Sequence, residues 1–290
     1  MGIVVMKPGP LTLVEDLGRR GSAALGLSPS GALDRKSLAL ANALLGNAAG
    51  AAGLEVLLGG LRLRFVTAST VAVTGAEGRV TVNGEEIALN QAVRVGPGAA
   101  MDFGVPAFGL RYYLAVSGGF DAPVLLGSRS ADVLSGEGPP PLQAGDSVGF
   151  GPGAGAQPSG TPAAALVFRR APDPLRPMAL RVDRGPRADW FESGSWRRLT
   201  GQFWQLSPES NRVGARLLGR PLTQVRTDEL PSEGMMHGSI QVPPSGLPTV
   251  FLADHPVTGG YPVIAVVKRA DLDLLGQARP GQRIRFLGQA

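Results

Sequence analysis

The residues best suited to chemistry lie between positions 231 and 262. Pro231-Ser232-Glu233-Gly234 leads to His237-Gly238-Ser239-Ile240-Gln241-Val242-Pro243-Pro244, and then to Leu252-Ala253-Asp254-His255-Pro256-Val257-Thr258-Gly259-Gly260-Tyr261-Pro262. Ser232, Glu233, Gln241, Asp254, Thr258 and Tyr261 supply hydrogen-bond donors and acceptors. The glycines let backbone approach a ligand, and exposed N–H groups can hold an oxyanion or a carboxylate. The same residue types also make turns between strands, with Asp254 and Thr258 closing local Asx and hydroxyl turns. Residue types alone leave both readings open.

Other chemistries lack their signatures. The chain has no cysteine, so a disulfide framework, a thiolate nucleophile and a thiolate metal site are all excluded. Absence of cysteine fits a reducing compartment. The two histidines, His237 and His255, fall in no cluster with metal-ligand spacing, and no metal site is expected. There is no Gly-x-x-x-x-Gly-Lys-Ser/Thr phosphate loop, and Leu58-Gly59-Gly60 and Gly151-Pro152-Gly153 lack the strand–glycine–helix context of a dinucleotide loop. No Gly-x-Ser-x-Gly elbow stands with a partner His and Asp. Lys and Arg number 28 against 23 Asp and Glu, a net charge of +5. The densest arginine cluster (Arg181, Arg184, Arg187, Arg197, Arg198) is interleaved with Asp183, Asp189 and Glu192, unlike the one-sided stripe of a nucleic-acid binder. The N-terminal stretch has no cationic region before a long apolar run, and no run of about 18 apolar residues occurs. A soluble, cytoplasmic protein without nucleic-acid or membrane partners is expected.

Elements that must position such residues are mostly strands. The 42 glycines and 25 prolines punctuate short apolar runs, a pattern of many turns joining short strands. Strands are predicted at 2–6, 61–66, 71–73, 79–82, 92–95, 110–116 and 147–150, and then at 179–182, 202–206, 239–242, 249–252, 263–267 and 283–286. Asn83-Gly84, between 80–82 and 85–87, is the strongest hairpin signal. Asp34–Leu45 reads as a helix capped by Asp34 and stopped at Gly46, and a second helix is predicted over Ala188–Trp196. Gly151–Pro162 is rich in Gly, Pro, Ala and Ser and reads as a linker. At roughly 150 residues per domain, two domains are expected, 1–160 and 161–290. Segments echo one another in order: Ser117-Gly118-Gly119-Phe120 with Thr258-Gly259-Gly260-Tyr261, Ala131-Asp132 with Ala270-Asp271, Gly145–Phe150 with Gly281–Phe286, and Leu44-Leu45-Gly46 with Leu217-Leu218-Gly219. Duplicated β-rich units follow, as two barrels that close their sheet edges.

Longer motifs carry a family resemblance. They are Ser232-Glu233-Gly234, Gly238, Ile240-Gln241-Val242-Pro243, Gly246, Pro248, Leu252-Ala253-Asp254 and Thr258-Gly259-Gly260-Tyr261-Pro262. To these the first half adds Val14-Glu15-Asp16-Leu17-Gly18-Arg19, Gly21, Ser30-Gly31-Ala32-Leu33-Asp34, Ala41-Asn42, Leu45-Gly46-Asn47 and Leu54-Glu55. Gly127-Ser128-Arg129-Ser130 and Ser210-Asn211-Arg212-Val213-Gly214 fill the middle. In this collinear order the chain resembles the allophanate hydrolase subunit 2 family, which holds the subunit-C protein of 5-oxoprolinase, the antikinase-antagonist protein KipA and one part of the carboxyltransferase unit of urea carboxylase. Arg20, Ala131-Asp132 and His255-Pro256-Val257 depart from the pattern.

The resemblance implies a mainly β fold of two tandem cyclophilin-like barrels with a few short helices. It implies a protein that joins a subunit-B-like partner, together with a subunit-A protein, in ATP-dependent opening of 5-oxo-L-proline to L-glutamate. ATP would be bound with the partner subunits. No biotin is expected on this chain, which has no Met-Lys-Met-like context. A lactam carbonyl is a poor electrophile, so phosphorylation of its oxygen would precede attack by water, and donors must face the developing oxyanion. The resemblance then implies substrate contacts from Ser232, Gln241, Thr258, Gly259 and Gly260. Arg19 or Arg212 would hold a carboxylate or phosphate. Glu233, Asp254 and Tyr261 would transfer or orient protons. Two alternatives accompany this reading: a KipA-like regulatory module that binds a kinase-inhibiting partner, and a biotin-linked carboxyltransferase component for urea or a related amide.

Overall fold

A computed structural model describes residues 2–152, 170–226 and 228–288. The expected boundary near residue 160 and most of the expected linker lie outside the described residues. The described chain forms twenty-one strands and three α-helices. Contacts divide it into two compact units. The first comprises residues 1–19, 30–132 and 136–173, and the second comprises 20–29, 133–135 and 174–290.

The first unit holds β1 (Gly2–Pro8), β2 (Leu11–Glu15), α1 (Arg35–Leu45), β3 (Gly53–Leu57), β4 (Leu61–Phe65), β5 (Ser69–Glu77), β6 (Val80–Val82), β7 (Glu85–Glu86), β8 (Ala92–Val95), β9 (Ala100–Phe103), β10 (Phe108–Val116), β11 (Phe120–Asp121) and β12 (Ser147–Phe150). These make a seven-stranded sheet, β11-β12-β1-β4-β9-β6-β7, and a five-stranded sheet, β2-β3-β10-β5-β8. β4 shows why the sheets pair: Leu61, Leu63 and Phe65 point inward while Arg62 and Arg64 point to solvent, the period of two of a half-buried strand. Tyr112, Leu114 and Val116 of β10 join Ile3, Leu63 and Phe65 in one core between the sheets. The alternate residues of β10, Tyr113 and Ala115, pack instead beneath Leu38, Ala41, Leu44 and Leu45 of α1. That helix begins where Asp34 accepts a hydrogen bond from the Ser37 N–H at 3.1 Å, and it ends at Gly46 in the left-handed conformation. The Asn83-Gly84 turn joins β6 to β7 with φ of 53° and 86°, as a type I′ hairpin requires.

The second unit holds β13 (Met178–Arg184), α2 (Ser195–Gly201), β14 (Trp204–Leu206), β15 (Gly214–Leu218), β16 (Glu233–Gly234), β17 (Ser239–Gln241), β18 (Thr249–Phe251), β19 (Thr258–Gly259), β20 (Val263–Val267), α3 (Arg269–Gly276) and β21 (Arg283–Gly288). Seven of its strands close into a barrel in the order β13-β20-β17-β18-β15-β14-β21. An odd ring cannot alternate direction throughout. Closure therefore needs one parallel seam, which runs between β13 and β21 with Met178 opposite Ile284 and Val182 opposite Gly288. β16 and β19 form a separate two-stranded ribbon outside the barrel.

Local readings failed in instructive places. The helix expected at 188–196 is a single 3₁₀ turn at Ala188–Trp190, because Phe191 is extended and bridges Gln224, and α2 starts only at Ser195. No helix was expected at α3, which lies over β13 with the Asp271 carboxylate on the Arg181 backbone N–H at 2.8 Å and on its guanidinium. The echo of Leu44-Leu45-Gly46 in Leu217-Leu218-Gly219 is not structural: the first ends α1 and the second ends β15, where Ala215 and Leu217 alternate with exposed Arg216 and Leu218. The echo of Gly145–Phe150 in Gly281–Phe286 does hold, as each is a turn into a strand. Among the described residues, no helix is long and apolar enough to cross a membrane.

The hairpin gives a clean test. A Cβ at Gly84 meets nothing within 4 Å, so its φ of +86° is the sole obstacle. Gly84→Ala is expected to cost about 1 kcal/mol in urea unfolding at unchanged m-value. Gly96→Ala, equally open and without positive φ, is expected to be near neutral.

Candidate functional site

In the barrel unit, the loop after β15, the turn following β17, the β19–β20 turn and Trp190 surround a cleft of about 600 Å³. Its walls are fixed by backbone bonds. The Val225 N–H donates to the Trp190 carbonyl at 2.8 Å, and the Leu222 N–H donates to that of Gly246 at 2.9 Å. The Gln224 amide spans the carbonyls of Val242 (2.9 Å) and Pro243 (3.2 Å). Gly260, Tyr261 and Pro262 form one side, with Tyr261 half exposed. Gln224, Arg226, Asp228, Glu229 and Trp190 face the same space.

Of the expected constellation, Gly260 and Tyr261 line this cleft and the others stand behind or beside that wall. Gln241 Nε2 donates to the Tyr261 carbonyl at 3.1 Å and so fixes the wall from behind. The amide lies so close that a Cβ on Gly259 would meet it at 2.7 Å, which explains glycine there. Glu233 pairs across the ribbon with Gly259, and Gly234 with Thr258. Ser232, Thr258 and Gly260 are exposed. Glu233 is bonded to the Arg187 guanidinium through Nε at 2.9 Å and also through Nη2. That hydrogen bonding lowers the Glu233 pKa despite partial desolvation, so at neutral pH Glu233 is an acceptor and not an acid.

Other expected residues are engaged elsewhere. Asp254 and Arg212, read as a proton carrier and an anion holder, are bonded to each other. Their exposures are 0% and 1%. Arg212 Nε lies 2.8 Å from Asp254 Oδ2, and Nη2 lies 3.1 Å from Oδ1. The Val133 N–H adds a third bond at 3.2 Å. Neither side chain reaches solvent, so the two hold each other as a structural tie and neither is presented to a ligand in this chain. His255 is also structural. Its ring stacks on Phe251 at 5.9 Å, its Nδ1 meets the Pro256 carbonyl at 2.8 Å, and its own carbonyl accepts from Ser28 Oγ at 2.6 Å. Arg19 belongs to the first unit, where it is buried and donates to the Ser130 carbonyl. Among the described residues, no group of three His, Asp or Glu side chains is placed to hold a metal ion.

Sequence reasoning missed two polar clusters in the first unit. The Asp16 carboxylate accepts from Ser128 Oγ (2.7 Å), Ser130 Oγ (2.7 Å), the Arg129 N–H (2.6 Å) and the Gly18 N–H (2.7 Å). One side chain thus ties the 14–19 segment to the 127–130 segment. Glu55 accepts from the Tyr113 hydroxyl at 2.7 Å and the Leu33 N–H at 2.9 Å, with Arg111 Nε at 3.2 Å. Burial, and then the charges of Glu55 and Asp34, push the Tyr113 hydroxyl well above its ordinary pKa, so it stays a donor. In the second unit Arg226, Trp190 and Gln224 were also missed, because each stands outside the glycine-rich runs. The charged run Arg226-Thr227-Asp228-Glu229 between apolar neighbours was the available signal.

This chain belongs to the carboxyltransferase domain family: residues 25–288 match the family described as "Carboxyltransferase domain, subdomain A and B". It is 35% identical over 286 residues to the subunit-C protein of 5-oxoprolinase from Escherichia coli, covering 98% of this chain and 90% of that protein. The similarly named protein of Haemophilus influenzae is 34% identical over 276 residues, with coverage of 94% and 86%. Among solved structures, Kluyveromyces lactis urea amidolyase superposes with a TM-score of 0.90 at 29% identity, over 100% of this chain and 19% of that one. TTHA0988 superposes with a TM-score of 0.87 at 37% identity, over 99% of this chain and 56% of that one. The mainly β expectation and the family resemblance both hold.

Two measurements follow. Removing one partner of a buried ion pair leaves the other charge stranded, so Asp254→Ala is expected to cost about 3–5 kcal/mol in urea unfolding, and Arg212→Met with Asp254→Leu less than the sum of the single changes. For Glu233, the lowered pKa means that the Arg187 pair stabilises the fold above the ordinary carboxylate range and that this contribution is lost as pH falls through the lowered value. In Arg187→Gln, the Glu233 carboxyl titration followed by NMR is expected to move up toward the ordinary range.

Proposed function

We propose that this chain is one subunit of an ATP-dependent 5-oxoprolinase, working in a heteromer with a subunit-B-like protein and a subunit-A protein to convert 5-oxo-L-proline to L-glutamate. The observation that carries the reading is 35% identity to a protein named as a 5-oxoprolinase subunit, near full length on both sides. Likeness to urea amidolyase is lower in identity and covers 19% of that chain, which supports the shared domain more than the shared substrate. The reading includes a cytoplasmic place for the chain, where ATP is supplied.

The residues of the cleft do not fit ATP as this chain's own ligand. Asp228 and Glu229 face the same space as Arg226 and oppose a strongly negative triphosphate, and no lysine lines the cleft among the described residues. ATP is therefore assigned to the partner subunits. What this chain contributes is a preformed wall. Gly260 and Tyr261 present backbone to a bound amide, and Gln241 positions them from behind. Thr258 and Gly259 stand on the ribbon that leads into this wall, and Ser232 directly precedes its other strand. Donors held in place before the reaction stabilise a developing oxyanion without reorganising. Glu233, held ionised by Arg187, is suited to orient water as a hydrogen-bond acceptor, and Tyr261 to direct the substrate.

The test is co-expression with the two partners and measurement of ATP-dependent glutamate release. The complete complex is expected to turn over and the isolated chain is not. Turnover by the chain alone, or none by the complex, contradicts the proposal. Gln241→Ala in the complex is expected to lower kcat by roughly 10-fold or more, since it loosens a wall that must be fixed to within a fraction of an ångström.

A further inference from the structure

We propose that Arg226, braced on Trp190, is the residue that selects a carboxylate-bearing ring substrate in the barrel cleft. This rests on the 5-oxoprolinase reading and adds to it the group that recognises the substrate's anion. The guanidinium stands over the Trp190 ring at 5.6 Å from its centre, and one Nη lies 3.3 Å from Asp189 Oδ2. Those two contacts fix the plane of the group but use few of its five N–H donors. Its remaining donors are available beside a space that both residues line. Trp190 itself lines the cleft. Its side chain is almost wholly buried at the cleft, yet its indole N–H has no partner among the described residues.

The charges of the cleft match one class of molecule. Among the described lining residues, a single cation stands with two carboxylates, Asp228 and Glu229. A simple anion would be repelled by the acids, and a neutral amide would leave the guanidinium without use. A cyclic amide with a carboxylate on the adjacent carbon supplies both complements: its carboxylate takes the fork of Arg226, and its ring N–H donates to Asp228 or Glu229. The methylene edge of the ring then lies against the indole. Planar two-point recognition of a carboxylate is what arginine does and lysine does not. Urea has no such group, so the same cleft disfavours it.

The pair with Asp189 is largely solvent-exposed, with side-chain exposures of 49% and 59%, so it contributes little to stability and Arg226 can be changed without unfolding the barrel. In the assembled complex, Arg226→Gln is expected to raise KM for 5-oxo-L-proline by about 10- to 100-fold, the worth of one charge-assisted hydrogen-bonded contact, with kcat changed far less. Arg226→Lys is expected to recover part of the loss. The inhibition constant of 2-pyrrolidinone, the same ring without the carboxylate, is expected to be equal in wild type and Arg226→Gln. An unchanged KM in Arg226→Gln, or an equal loss for 2-pyrrolidinone, overturns the assignment while leaving the 5-oxoprolinase reading intact. A wild-type complex inactive on 5-oxo-L-proline overturns both.

Discussion

A carboxylate and a guanidinium buried together in the barrel unit anchor the start of the run that leads to one wall of its cleft. Burying either ion alone costs several kcal/mol, and two-point bonding with a third donor is what makes the pair tolerable. Asp254 begins the run that continues through β19 to Tyr261 and Pro262. Its backbone is also fixed, since the Asp254 N–H donates to the Arg212 carbonyl at 3.1 Å and the Leu252 N–H to that of Val213 at 3.0 Å. The segment therefore leaves the barrel at one place and in one direction. Gln241 then sets the far end of the run. The wall is shaped before any ligand arrives, which is the condition for using backbone N–H groups as catalytic donors.

The first unit solves a similar problem with other chemistry. Asp16 gathers two remote segments by accepting four hydrogen bonds, and Glu55 ties the start of α1 to β3 and β10 through Tyr113. In both units long-range order comes from a buried carboxylate held by several donors, while the apolar sheets supply bulk stabilisation. Networks of this kind specify one arrangement because a partly satisfied alternative is costly.

How much of this was legible in the sequence follows from range. Strands with clean alternation, such as Leu61–Phe65, and the helix capped by Asp34 and stopped by Gly46 were readable because their causes lie within a few residues. So was the Asn83-Gly84 turn. α3 was not, since Asp271 and its partner Arg181 are 90 residues apart. The composition of the site was visible in the glycine-rich runs at 232–261, but the burial of its members was not. Arg212 and Asp254 look like catalytic types until their 42-residue separation closes into an ion pair. Trp190 carried no local signal, and the charged run that starts at Arg226 gains its meaning only from that distant ring.

Hydrogen exchange measures directly whether the buried pair holds the cleft wall in place before a ligand binds. In Asp254→Asn, which keeps shape but removes the charge, the amides of residues 254–262 should lose more protection than those of β20. Equal protection across 254–262 in the two proteins would show that the wall is held by something else.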